Sequence, residues 1–333
     1  MDDGPGDASV EAPGARPRPP AQRVLMALGQ LALGGLLLAG LFYLLGPDWA
    51  EVREQFEFRP GWFAVGLLGT GLATAFTAAR WQLLNEQMTQ TRQPYGVYFH
   101  YIAVTRLFGQ FVPMLFMDFV GRGMGLRAAG SKQGLGRLLT PVLLERLLDF
   151  ALPCTTLAWA FLVVSGPPIF GESRWIWLIG ITVGCAAVAV PFIGPSANVL
   201  LRVYAWIKSL RGSSPLVIEP VEVPLRTAAW VALHSVGRYA TVLLQFLGMG
   251  AAAGAVLKTF AVVGGFSVAQ LSALLAITPG GLGIQDLGWA GALTWLGTET
   301  VMITLFVFGF RLFMVVNFGL LSLLSLPFRR ADG

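Results

Sequence analysis

Six ionisable residues stand inside otherwise apolar stretches of this sequence: Arg106, Glu145, Arg146, Asp149, Arg238 and Arg311. A charge at the centre of a membrane-embedded helix costs roughly 2.5–3.5 kcal/mol on the insertion scale. Several together exceed the roughly 5–15 kcal/mol by which a typical fold is stable. Such groups must therefore face one another or a hydrated cavity rather than lipid. Two chemistries follow. Glu145 or Asp149 can pair with an arginine of a neighbouring helix, which fixes packing and does nothing more. Arginines outnumber acids inside these segments, however, so an external anion is the natural further partner, and a phosphate suits the planar guanidinium fork. Arg106, Asp118, Arg122, Glu145, Arg146, Asp286 and Arg311 are the side chains expected along a polar groove that binds substrate. Glu145, Asp149 and Asp286 are the groups able to carry a proton.

A second feature is backbone rather than side chain. Thr278-Pro279-Gly280-Gly281-Leu282-Gly283 places three glycines within four residues of a proline. That run breaks a helix, and the expectation is that it leaves backbone N–H groups of Gly280, Gly281 and Gly283 facing an anion at the start of the next helix. The plainer alternative is a turn between two spans. A nucleotide-binding P-loop is excluded, because no Gly-Lys-Ser/Thr follows.

The elements that must position these residues follow from composition. Of 333 residues, 55% are hydrophobic and 12% charged, about half the charge of an average soluble domain. Too few polar residues exist to surface a soluble fold of this length. The net charge of +5 would suggest nucleic acid, but there are only three lysines, Lys132, Lys208 and Lys258, and the arginines lie in short loops and apolar runs. Such a pattern fits the positive-inside rule and anionic lipid, not a nucleic-acid face. Cys154 and Cys185 read as packing residues, and His100 and His234 stand alone, so neither a metal site nor a cofactor is expected. Tyr95, Tyr98, Tyr101, Trp175 and Trp177 read as interfacial aromatics.

Residues 1–22 are rich in Pro, Gly and charge and read as a disordered cytoplasmic tail. Residues 23–330 form one transmembrane domain with about six full spans: Val24–Leu45, Trp62–Ala79, Leu138–Val164, Trp175–Ile193, Ala228–Met249 and Val301–Leu326. Cytoplasmic placement of Arg16, Arg18, Arg23, the 122–137 loop, the 202–211 stretch and Arg329-Arg330 puts both termini in the cytoplasm and the acidic 48–59 loop outside. For these sides to agree, residues 95–125 must enter and leave on the cytoplasmic side and residues 258–297 on the outer side. Both become re-entrant helical hairpins. An internal repeat supports this: Arg146 follows Pro113 by 33 positions and Arg311 follows Pro279 by 32, with Asp118 and Asp286 between them. The halves, about 60–165 and 226–328, then form an inverted repeat in an all-α polytopic membrane protein, an architecture shared with many transporters.

Arg80-Trp81-Gln82-Leu83-Leu84, the segment from Pro113 through Asp118 to Arg122, Leu144-Glu145-Arg146-Leu147-Leu148-Asp149, and Pro279-Gly280-Gly281-Leu282-Gly283 with Asp286 occur in that order. Together they resemble the lysylphosphatidylglycerol synthase transmembrane-region family of flippase-like membrane proteins over about residues 24–328. The chain departs from that pattern at Asp286, where Glu is common, and at Phe111–Met117, which is bulkier than usual. No polar stretch here is long enough for the aminoacyl-transferring domain of the enzymes that give the family its name. The resemblance implies translocation, without enzyme activity, of a lipid or lipid-linked precursor with an anionic head group across the cytoplasmic membrane, next to an enzyme of lipid synthesis. A membrane-embedded component or transferase of a lipid or glycolipid synthesis pathway is the alternative.

Overall fold

A computed structural model describes residues 20–90, 92–131, 135–167, 173–210, 220–274 and 278–329. Residues 1–19, most of the expected tail, lie outside these ranges, whereas Pro20–Arg23 begin the first helix. In chain order the helices are α1 (Pro20–Leu45), α2 (Trp49–Gln55), α3 (Pro60–Thr89), α4 (Tyr95–Phe108), α5 (Met114–Phe116), a π turn (Met117–Gly121), α6 (Arg122–Ala128) and α7 (Leu135–Ser165). There follow α8 (Arg174–Ala189), α9 (Ile193–Leu210), α10 (Leu225–Ala252), α11 (Thr259–Leu274), α12 (Ile284–Trp295) and α13 (Thr300–Leu324).

Among the described residues, five helical segments are long and apolar enough to cross a membrane: Leu28–Leu45, Pro60–Thr89, Leu138–Ser165, Arg174–Val203 and Thr300–Leu324. The remaining segment expected to span is helical, as α10, 28 residues long, but it falls outside that apolar set. Its buried face includes Ser235, Arg238 and Gln245, which are turned to the interior. The second span also runs further than the sequence suggests, past Arg80 to Thr89. Arg80 does not stop the helix, because its charge is met by acids inside the bundle.

The scaffold is the close pair α3 and α10. Gly66 and Gly69 of α3 face Gly248 and Gln245 of α10, and a Cβ on Gly69 would come within 2.5 Å of the Gln245 backbone nitrogen. Small residues let backbones approach without a hydrophobic driving force in lipid. The hydroxyls of Thr70, Thr74 and Thr77 donate to carbonyls one turn back at 2.7–2.8 Å, so these polar groups need no water. Large side chains such as Leu36 and Tyr43 of α1 and Ile176 and Val188 of α8 are exposed outward, as a lipid-facing surface requires.

Two helix–break–helix units lean on this scaffold. In the first, α4 and α5 are separated by Gly109–Pro113. In the second, α11 and α12 flank residues 275–283, of which 278–283 are described. Phe246, Phe266, Trp289, Phe306 and Phe310 interlock α10, α11, α12 and α13, with ring centroids 4.7–6.4 Å apart, and so fix the second unit. The two breaks touch. Pro113 and Pro279 form an antiparallel bridge, the one isolated strand-like pairing among the described residues, and the Gly280 N–H donates to the Gly109 carbonyl at 2.8 Å.

Candidate functional site

Around the contact between the breaks the interior is charged. Arg80 donates to Asp149 at 2.9 Å and lies 3.5 Å from Glu145. Arg122 meets Glu145 at 2.6 Å and Asp118 at 3.1 Å. Arg146 binds Asp118 and lies 3.5 Å from Asp149, and Arg238 reaches Asp149 at 3.0 Å. Arg80, Arg122 and Glu145 have no exposed surface, and Asp118 and Asp149 have almost none. The indole of Trp81 lies under the Arg122 guanidinium, 5.3 Å from ring centroid to carbon, while the adjacent Arg80 pairs with Glu145 and Asp149. Asp118 sits in the π turn, four positions before its partner Arg122. Such turns often hold side chains at positions a regular helix does not offer.

Arg122, read from the sequence both as a groove residue and as the start of a cytoplasmic loop, is an interior ion-pair partner and not a loop charge. Arg127 of that segment is exposed. Of the other residues used for orientation, Arg16, Arg18, Arg211 and Arg330 lie outside the described residues. Tyr98, read as interfacial, is fully buried and accepts from Asn85 at 2.9 Å.

A cavity of about 90 Å³ opens where the two breaks meet. Its polar lining is Arg106, Arg146, Arg238, Asp118, Gln110, Gln245, Gln270, Gln285, Thr74 and Thr77, with Gly280 and Gly281 at one edge. Ile102, Val242, Phe246, Phe266, Met314 and Phe318 make its apolar wall. Arg106 differs from the other cations. Its Nη1 approaches the Met114 sulfur at 3.1 Å, and among the described residues it forms no ion pair with a carboxylate. One water needs roughly 10–15 Å³ of such volume, so the cavity suits a phosphate-sized group.

The sequence-chosen residues divide on this geometry. Arg106, Asp118, Arg146, Gly280 and Gly281 line the cavity. Arg122, Glu145 and Asp149 stand outside its lining: Arg122 and Asp149 hold lining charges by ion pairs, and Glu145 pairs with Arg80 and Arg122 behind them. Pro279, Gly283, Asp286 and Arg311 belong to a separate clamp. Arg311 donates to both carboxylate oxygens of Asp286 at 2.8 and 2.9 Å and to the carbonyls of Gly280 and Gly281 at 2.7 and 3.2 Å.

The expectation of free glycine N–H groups is not met. Gly280 donates to Gly109, Gly281 to Thr278 and Leu282 to Pro279, while Gly283 donates to Asp286 at 2.8 Å. An acid caps the start of α12, so the anion-attracting groups of this site are arginine side chains. Arg80, Arg238, Gln245, Gln270 and Gln285 were missing from the sequence-derived site. Arg238 was visible as an ionisable residue in an apolar run, and the amides carried the same signal without a charge.

Residues 30–322 match the family described as Lysylphosphatidylglycerol synthase TM region. No curated protein matches the chain. The match and the apolar helices together make it a multi-pass membrane protein.

Proposed function

The chain belongs to the lysylphosphatidylglycerol synthase TM-region family, and from that membership we propose that it carries a lipid with an anionic head group between the leaflets of the cytoplasmic membrane. The observation behind this reading is the cavity lined by Arg106, Arg146 and Arg238 at the meeting of two broken helical units, inside an apolar bundle. The head group binds the arginines while the tails stay in the bilayer. A membrane-bound enzyme of lipid synthesis is the partner that supplies or consumes such a lipid.

The two units act as re-entrant hairpins of an inverted repeat, with both termini cytoplasmic. Two pairs support the repeat: Arg146 binds Asp118 in one half as Arg311 binds Asp286 in the other, and Pro113 bridges Pro279 where the halves meet. Broken helices at membrane depth need protein or a polar cavity around them, and here each tip supplies that surrounding for the other. In this arrangement the tip contact closes the route past the cavity, so translocation requires the tips to part. Arg106 and Arg146 then contact the head group, Arg238 and Asp118 complete the cavity, Glu145, Asp149 and Arg122 keep the cations in place, and Arg311 with Asp286 shapes the second tip.

Reconstitution into liposomes tests this. The wild-type chain should move an anionic phospholipid faster than a zwitterionic one. Arg106→Gln should slow the anionic lipid about tenfold or more, since hydrogen bonds to charged groups contribute roughly 1.5–3 kcal/mol. Equal rates for both lipids, or an unaffected Arg106→Gln protein, would remove the reading.

A further inference from the structure

Five arginines (Arg80, Arg106, Arg122, Arg146 and Arg238) face or hold the cavity, against three carboxylates, Asp118, Glu145 and Asp149. Arg311 and Asp286 form their own neutral pair and leave this balance unchanged. Among the described residues the site therefore carries two positive charges more than its acids neutralise. Inside an apolar bundle such an excess is expensive, because water and salt do not screen it. A phosphodiester head supplies one negative charge, whereas a phosphate monoester supplies ≈ 1.5–2 near neutral pH, its second ionisation lying near 6.

We propose that the cavity is matched to a doubly charged phosphate carried as a monoester on a lipid. This rests on the functional reading above and specifies its substrate class. Arg106 provides a guanidinium that, among the described residues, is held in no direct ion pair, and Arg146 provides a second fork whose Nε has no hydrogen-bond partner. The remaining phosphate oxygens meet neutral donors, the side-chain amides of Gln110, Gln245 and Gln285, which bind without altering the charge balance. A cationic or zwitterionic head would bring positive charge to a site already in excess. The apolar wall of Phe246, Phe266 and Phe318 favours an anion attached to a tail over a free one.

The test is lipid competition on the purified full chain, with retained lipid quantified after equilibration at pH 8 and pH 5. Phosphatidate is the monoester probe, phosphatidylglycerol the diester, phosphatidylcholine the zwitterion and inorganic phosphate the free anion. At pH 8 phosphatidate should be retained about tenfold over phosphatidylglycerol, a difference of about 1.4 kcal/mol. That preference should shrink towards parity at pH 5, where the monoester keeps one charge. The diester does not titrate in this range, and it reports any change in the protein itself. Arg106→Gln, which removes one excess charge, should abolish the preference at pH 8.

Parity of the two anionic lipids at pH 8, or a preference that pH and Arg106→Gln leave unchanged, would overturn the charge match while leaving anionic-lipid transport standing. Displacement of phosphatidate by an equal concentration of inorganic phosphate would assign the site to a free anion and overturn the lipid assignment. Retention of phosphatidylcholine equal to both anionic lipids would defeat the functional reading as well.

Discussion

Arg311 spends its guanidinium on two oxygens of Asp286 and two backbone carbonyls, whereas Arg106 reaches a thioether and an open cavity. Both arginines interrupt apolar runs, and their fates differ because Arg311 is in direct contact with an acid on a neighbouring helix and Arg106 is not. Breaking a buried pair by removing one partner costs about 3–5 kcal/mol, since the remaining charge stays uncompensated. Asp286→Asn should therefore lower the melting temperature sharply, and adding Arg311→Gln should recover part of that loss. Thermal unfolding of the single and double variants checks this. A single variant as stable as wild type would show that Arg311 is not held by Asp286.

At the scale of elements, the glycine break behaves differently from a helix that glycine merely weakens. Gly280, Gly281 and Gly283 have φ of 57°, 69° and 81°, in the left-handed region where a side chain costs roughly 1–2 kcal/mol per residue. A Cβ on Gly280 would come 3.2 Å from the Gln110 backbone, and one on Gly283 would collide with Leu37 of α1. Alanine is the better helix former, yet Gly280→Ala and Gly283→Ala should each lower the melting temperature and transport together. An unchanged or raised melting temperature would mean that the segment relaxes into continuous helix. The break itself was legible from Pro279 and its glycines. What was not legible is that its N–H groups are used internally, because their acceptors, Gly109 and Asp286, are chosen by tertiary contact. Arg122 shows a related limit: the sequence read it both as a groove residue and as the start of a loop, and the approach of Glu145 from α7 makes it an interior residue.

Across the whole molecule, the apolar runs and their breaks reported the helices well, since length and hydropathy are local properties. The charge balance inside the bundle depends on which helices meet, and composition does not carry that. The proposed topology makes a direct statement about sides. Single cysteines at Thr91, Ser131, Lys258 and Thr298, with Cys154 and Cys185 replaced, should label in two sets: the first two from the cytoplasm and the last two from outside. Labelling of Thr91 and Ser131 from opposite faces would undo the first hairpin and the inverted repeat with it. The account as a whole turns on the two tips parting to let a head group pass. Paired residues of an antiparallel bridge lie ≈ 4.5–5.5 Å apart at Cα, within the range a disulfide spans, so Pro113→Cys with Pro279→Cys in the same cysteine-free background gives a reversible lock. Anionic-lipid transport should stop in liposomes when this pair is oxidised and return when reductant is added to the same sample. Undiminished transport by fully oxidised protein would contradict passage between the tips.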